Sequence, residues 1–257
     1  MNHGIHLPAT PYSKIAGAYD IALGIPFLRH TRFAFERLVR CYGIRFRSAA
    51  DLGCGTGLFA CYLSRCRGVP VFAVDRSLEM LKVARRNCDD ANVCFLQQDI
   101  RCLSLPCPVD LVTANFDTMN HIMSASDLKK AFDRIFANLN PGGHFIFDLL
   151  TDKQPQHTLM GLIVRLDAGP GRELMQHIRW SPRQKLLSIR AVLRSANLAP
   201  PKIEVHKERL YSPGEVCRWM QQAGFLIRGI HNAVTLQAAT KCPSRVIIIA
   251  QKLSCQT

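Results

Sequence analysis

A chain of 257 residues with 48% hydrophobic content is long enough for one α/β domain with insertions and a sizeable core. Its net charge of +14 lies in the flanks, with +5 in residues 1–50, −1 in 51–150 and +10 in 151–257. No basic–apolar–small leader opens the sequence, and the run Val246–Ala250 is too short to cross a bilayer. The 11 cysteines show no paired CxxC spacing, which predicts reduced thiols in a cytoplasmic compartment and neither a metal site nor a disulfide framework.

Residues 1–10 are expected to be disordered. Tyr12, Ile15, Ala16, Tyr19 and Leu23 recur at helical spacing and predict a helix over 11–24, followed by a second over 27–41 that is basic on one side. Ala49-Ala50-Asp51-Leu52 then reads as a strand ending beside an acid, and Gly53-Cys54-Gly55-Thr56-Gly57 as a turn into a helix that ends near Gly68. Glycines let the backbone turn sharply and approach a ligand, and the helix start directs free N–H groups to the same place. With Asp51 beside it, such a site suits a tail carrying both a carboxylate and an ammonium. The spacing is G-x-G-x-G, and Leu58 stands where a dinucleotide fingerprint needs its third glycine.

Strands are predicted over 69–74, 93–96, 110–114 and 144–150, with helices over 77–87 and 126–139 between them. Asp75 ends the second strand, where an acid can accept from both hydroxyls of a ribose. Alternation predicts antiparallel strands over 173–180, 185–194 and 202–210. The last of these should turn Lys202, Glu204, His206 and Glu208 toward solvent. Ser212-Pro213-Gly214-Glu215 reads as a capping box opening a helix to Gln222, and strands over 226–232 and 245–251 close the sheet.

DLGCGTG resembles the first motif of class I S-adenosylmethionine (SAM) methyltransferases. VDRSLEML resembles the second, and Gln97-Gln98-Asp99-Ile100 the adenine-binding turn. Asn115-Phe116-Asp117-Thr118-Met119-Asn120 and LNPGGHFIFDL resemble small-molecule members, so that the matches span residues 48–150 in the family's order. The resemblance implies a Rossmann-like, seven-stranded, mostly parallel α/β sheet with helices on both faces and an added antiparallel layer. It implies one domain: cover helices over 1–45, a SAM-binding core over 46–150, a substrate-covering insertion over 151–210, and a closing helix and strands over 211–257.

For the cofactor the resemblance implies Asp51, Gly53, Cys54, Gly55 and Gly57 at the tail and Asp75 at the ribose. Arg76, Asp99 and Ile100 fall at the adenine, with Arg76 standing where an apolar residue is common, and Asn115 ends the fourth strand. For the acceptor it implies Tyr12 and Tyr19 on the cover helix, Asn120, and the segment holding His206, Arg209 and Tyr211. His206, His121 and Tyr12 are rival catalytic groups, since a neutral imidazole can take a proton. The expected activity is methyl transfer to an N, O or C atom of a small acceptor, anionic if the basic flanks line its pocket. An RNA methyltransferase and a SAM-binding protein without turnover are the alternatives. Nucleic acid is not favoured, because no consecutive basic block forms an arm.

Overall fold

The computed structural model describes residues 12–89, 91–153, 160–196, 198–239 and 243–253. The expected disordered segment 1–10 lies outside them. Two helices come first, α1 (Ala16–Tyr19) and α2 (Ile25–Cys41), joined by a π-helical turn over Asp20–Gly24. Then β1 (Ala49–Leu52), α3 (Leu58–Arg67), β2 (Val71–Asp75), α4 (Leu78–Asn87) and β3 (Val93–Gln97) alternate. The alternation continues through β4 (Val109–Ala114), α5 (Ala125–Ala137) and β5 (Leu139–Leu150). Four strands follow, β6 (Met160–Asp167), β7 (Arg172–Ser181), β8 (Leu186–Ser195) and β9 (Leu198–Arg209). The chain ends with α6 (Pro213–Gln222), β10 (Phe225–Asn232) and β11 (Arg245–Lys252).

One sheet has the order β10-β11-β5-β4-β1-β2-β3 and is parallel except for β11. Its central strands read as continuous apolar runs because helices cover both faces. Phe132, Phe145 and Phe147 are fully buried on one side, and Leu63 and Leu81 on the other. β1 pairs with β2 on one edge and β4 on the other, so strand order reverses there and a crevice opens at the C-terminal ends. β6 to β9 form a second, wholly antiparallel sheet. Ile15, Ala18 and Leu23 pack against Leu174, Ala191 and Leu193 of that sheet, so the N-terminal segment is clamped between the two layers.

The structure corrects several expectations. The first predicted helix starts later, after Tyr12 at φ +63°, and runs on into the second without a gap; its backbone widens at Asp20, whose carboxylate accepts from Thr56 Oγ1 and Asn87 Nδ2. β6 escaped the sequence reading because Ile163, 53% exposed, puts an apolar residue on its outer face and blurs the alternation. Ser212 makes no side-chain cap, and Glu215 lies 3.9 Å from Lys185 instead. Ser77 does cap α4, accepting from Met80 N at 3.3 Å. Cys61 and Cys88 form a disulfide between α3 and the end of α4, against the expectation of reduced thiols throughout.

Candidate active site

A cavity of about 230 Å³ opens where β1, β2 and β4 end. Asp51, Gly53, Cys54 and Gly55 line it, together with Asp75, Arg76, Asp99, Ile100 and Asn115. Nine of the ten residues assigned to the cofactor therefore converge, although 64 positions separate the first from the last. Gly57 is the exception: it faces the neighbouring helix, where a Cβ would sit 2.9 Å from that of Ala84. Its φ of +80° serves the turn into α3. Gly53 stands at φ +63°, and a side chain there would overlap Thr118.

Asp75 Oδ2 accepts from Gly55 N at 2.9 Å and Oδ1 from Ser77 N at 2.7 Å, so the acid also shapes the glycine turn. Burial raises its pKa and the N–H donors oppose the rise. Asp51 is 2% exposed and burial lifts its pKa to about 7, against hydrogen bonds from Thr113 Oγ1 at 2.7 Å and Asn115 Nδ2 at 3.4 Å. Burial also pushes the Cys54 thiol well up, which leaves it a small wall residue and not a reactive thiolate. Asp99 caps the short 3₁₀ turn at Ile100–Cys102, and its Arg101 hydrogen bonds hold its carboxyl below the usual range.

At the other end the walls are Tyr12, Tyr19, Phe116 and His121. His206 lies behind Tyr12, ring centroids 4.3 Å apart, and does not line the cavity. Of the β9 residues expected at solvent, Lys202 is exposed but the other three turn inward. Glu204, His206 and Glu208 are 8%, 5% and 2% exposed, whereas Val205 is 58% exposed. The reason is the N-terminal segment, whose Tyr12 N and Lys14 N donate to Glu204 at 2.8 and 3.1 Å. Burial drops the pKa of His121 to about 4 and of His206 to about 3, so both imidazoles are neutral at neutral pH. His121 Nε2 is 3.9 Å from Glu208, whose pKa is raised well above the carboxylate range, first by burial and then by Asp117. Arg245 pairs with both Asp117 and Asp148, and is thereby neutralised.

Three expected acceptor residues lie elsewhere. Asn120 is fully buried and bonds Leu150 O at 2.9 Å and Arg209 O at 2.8 Å. Tyr211 donates to Ile122 O at 2.6 Å, and the Arg209 guanidinium lies over its ring at 5.9 Å. Together they brace the second sheet onto the first. Arg179, Arg190 and Arg194 face solvent, so the basic flank does not line the pocket. Asp20, Phe116, Asp117, Glu208 and the Asp148–Arg245 pair were not assigned from sequence. Each takes its place from a tertiary contact that no local spacing encodes.

The glycine turn, its buried acid and the acid ending β2 fit an adenosyl group with an amino-acid tail: backbone without side chains, a partly ionised carboxyl and a second carboxylate converge on one cavity. Comparison with known proteins agrees. A family described as "Methyltransferase domain" matches residues 49–143. A relative from Geobacillus sp. (strain WCH70), which bears a methyltransferase name, is 26% identical over 94% of this chain and 99% of its own. A dTDP-3-amino-3,6-dideoxy-alpha-D-glucopyranose N,N-dimethyltransferase of Streptomyces fradiae is 32% identical over 53% of each chain. A SAM-dependent methyltransferase structure from Clostridium acetobutylicum ATCC 824 superposes with TM-score 0.78 at 24% identity, covering 95% of this chain and 100% of its own. The sugar N-methyltransferase KedS8 from Streptoalloteichus sp ATCC 53650 gives 0.73 at 19%, covering 99% and 97%. The family match falls on the segment that builds the glycine turn and its flanking strands: residues 49–143 match a methyltransferase domain, in a chain whose relatives bear methyltransferase names and whose fold is that of the S-adenosylmethionine-dependent methyltransferase structures.

Proposed function

We propose that the enzyme methylates a nitrogen of a small amine, which reacts in its neutral form with the lone pair free. The observation that carries this reading is the acceptor end of the cavity. Neutral His121 and two tyrosines line it, and the acids Glu204, Glu208 and Asp117 stand close behind Tyr12. An amine finds acceptors there for its N–H groups. The names of the Streptomyces fradiae and KedS8 proteins point the same way, both being N-methyltransferases of sugars.

In this reading Asp51 takes the ammonium of the cofactor's tail, Gly53 and Gly55 leave room for it, and Asp75 takes the ribose. Arg76, Asp99 and Ile100 border the adenine. The cofactor supplies a methyl group that is already electrophilic. The chain's own part is then to orient the nitrogen lone pair and exclude water, which can be worth on the order of 7–11 kcal/mol. His121 accepts an N–H of the amine, Tyr12 and Tyr19 bound the pocket, and His206 holds Tyr12 in place. Residues 151–210 act as the acceptor-side cover of a single domain.

Radiolabelled SAM offered to metabolite, protein and RNA fractions tests the reading. Label in a small amine supports it, and label in RNA or protein overturns it. Calorimetry checks the cofactor end: S-adenosylhomocysteine binds and NAD does not. Asp75→Ala weakens that binding on the order of tenfold to a hundredfold, as loss of hydrogen bonds to a charged group predicts. An unchanged dissociation constant in a folded variant would remove Asp75 from the site.

A further inference from the structure

A second cavity of about 430 Å³ lies beside the first. Its walls come from α2, from the ends of β5 and β11 and from the loop after β10, and they are apolar: Phe27, Ala34, Phe35, Phe147 and Ile247 among them. Asn115 and Phe116 line both cavities and so stand between them. The polar groups in the second cavity are mostly satisfied within the protein. His30 Nε2 bonds Ala233 O at 2.8 Å, and Arg245 is held by Asp117 and Asp148. What remains open is hydrocarbon. Phe116 and Asp117 stand at φ +57° and +61°, a conformation uncommon outside glycine. It places the Phe116 ring 5.2 Å from that of Phe27, at the mouth between the two spaces.

We infer that this slot is a second acceptor subsite, which holds an aryl or alkyl group of the amine while its nitrogen reaches past Phe116 into the cofactor cavity. The assignment rests on the amine reading above and narrows it to an amphiphilic acceptor. Continuity through Asn115 and Phe116 argues for the acceptor itself over an unrelated ligand. A closed floor of paired charges argues for an apolar group over a phosphate or sugar, since a desolvated polar group would find no partner there.

N-phenyl-1-naphthylamine, an uncharged dye that brightens in apolar surroundings, tests the slot without a known acceptor. It should bind saturably to the wild-type chain, and saturating S-adenosylhomocysteine should leave that binding intact. Thr31→Trp fills the slot from a half-buried position on α2. It should weaken dye binding at least tenfold and leave S-adenosylhomocysteine affinity within about twofold, which also shows that the variant is folded. n-Octylamine should displace the dye about tenfold better than n-octanol, because its ammonium reaches Asp51 and Asp75, whose carboxyl groups line the cofactor cavity beyond Phe116. Absent dye binding, dye displaced by S-adenosylhomocysteine, or binding unchanged in T31W overturns the subsite. Equal displacement by amine and alcohol overturns its assignment to the acceptor. Loss of S-adenosylhomocysteine binding in the wild type would instead fault the cofactor assignment, so the two failures are told apart.

Discussion

On the proposed cofactor assignment, Asp51 links folding to ligand binding through one proton. Its carboxyl is buried and its pKa lies near 7, against about 4 in an unfolded chain. A raised carboxyl pKa favours the protonated form in the fold, so its cost to the cofactor-free protein grows as pH rises from about 4 to about 7. A ligand ammonium reverses the preference. S-adenosylhomocysteine affinity should fall on the order of tenfold between pH 7.5 and 5.5, with proton release on binding seen by calorimetry in buffers of different ionisation enthalpy. Asp51→Asn should remove the pH dependence, weaken binding and raise the melting temperature of the free protein at pH 7.5. A pH-independent affinity in the wild type would take Asp51 out of contact with the ammonium. The glycines give a second contrast. Gly55 and Gly57 both have positive φ, but a Cβ on Gly55 meets open space and one on Gly57 meets Ala84. Gly55→Ala should cost about 1–2 kcal/mol from backbone strain alone. Gly57→Ala adds overpacking of about 1–3 kcal/mol. Urea unfolding of the two variants measures the difference, and equal losses would refute the steric account.

The N-terminal segment is an element held at two places. Glu204 anchors Tyr12 and Lys14 to β9, and Asp20 anchors the π turn to Thr56 and Asn87 beside the glycine turn. Its short helices are marginal alone, so these bonds and the small apolar core with β7 and β8 decide whether it closes. Hydrogen bonds to a charged group are worth about 1.5–3 kcal/mol each. Glu204→Ala should therefore lower hydrogen-exchange protection of residues 12–19 on the order of tenfold or more, while protection in β1 and β4 stays unchanged. Uniform loss across the sheet would mean that Glu204 supports the whole fold and not the strap. The same element shows where periodicity fails as a guide. β9 alternates as expected, but its polar face turns inward, because alternation gives two faces and does not say which is covered.

Over the whole molecule the charge is asymmetric, and the cavity does not share it. Arg179, Arg190 and Arg194 of the second sheet are solvent-facing, and no helix among the described residues is long and apolar enough to cross a membrane. A protein that binds RNA through many phosphates loses about 10³–10⁵ in affinity between 50 and 200 mM salt. Methylation of a small amine inside a pocket should change less than about threefold over that range, because nearby buried charges are weakly screened. A steep loss of turnover with salt, together with labelled RNA, would move the basic surface from solvent to substrate.

The sequence by itself determined the parallel core, and nine of the ten residues it proposes for a cofactor line the cavity at the ends of β1, β2 and β4. Both are local properties: apolar runs mark buried strands, and the glycine turn and the acids ending β1 and β2 sit within a few residues of the strands that carry them. Only the tertiary structure decided the acceptor end. Tyr12, His121 and Glu208 meet there because the second sheet folds back over the first, while Asn120, Arg209 and Tyr211, equally plausible by position, became the brace that holds it. The direction in which β9 turns its polar face, and the pairing that neutralises Arg245, depend on which distant segment packs against them, and one-dimensional spacing carries no record of that.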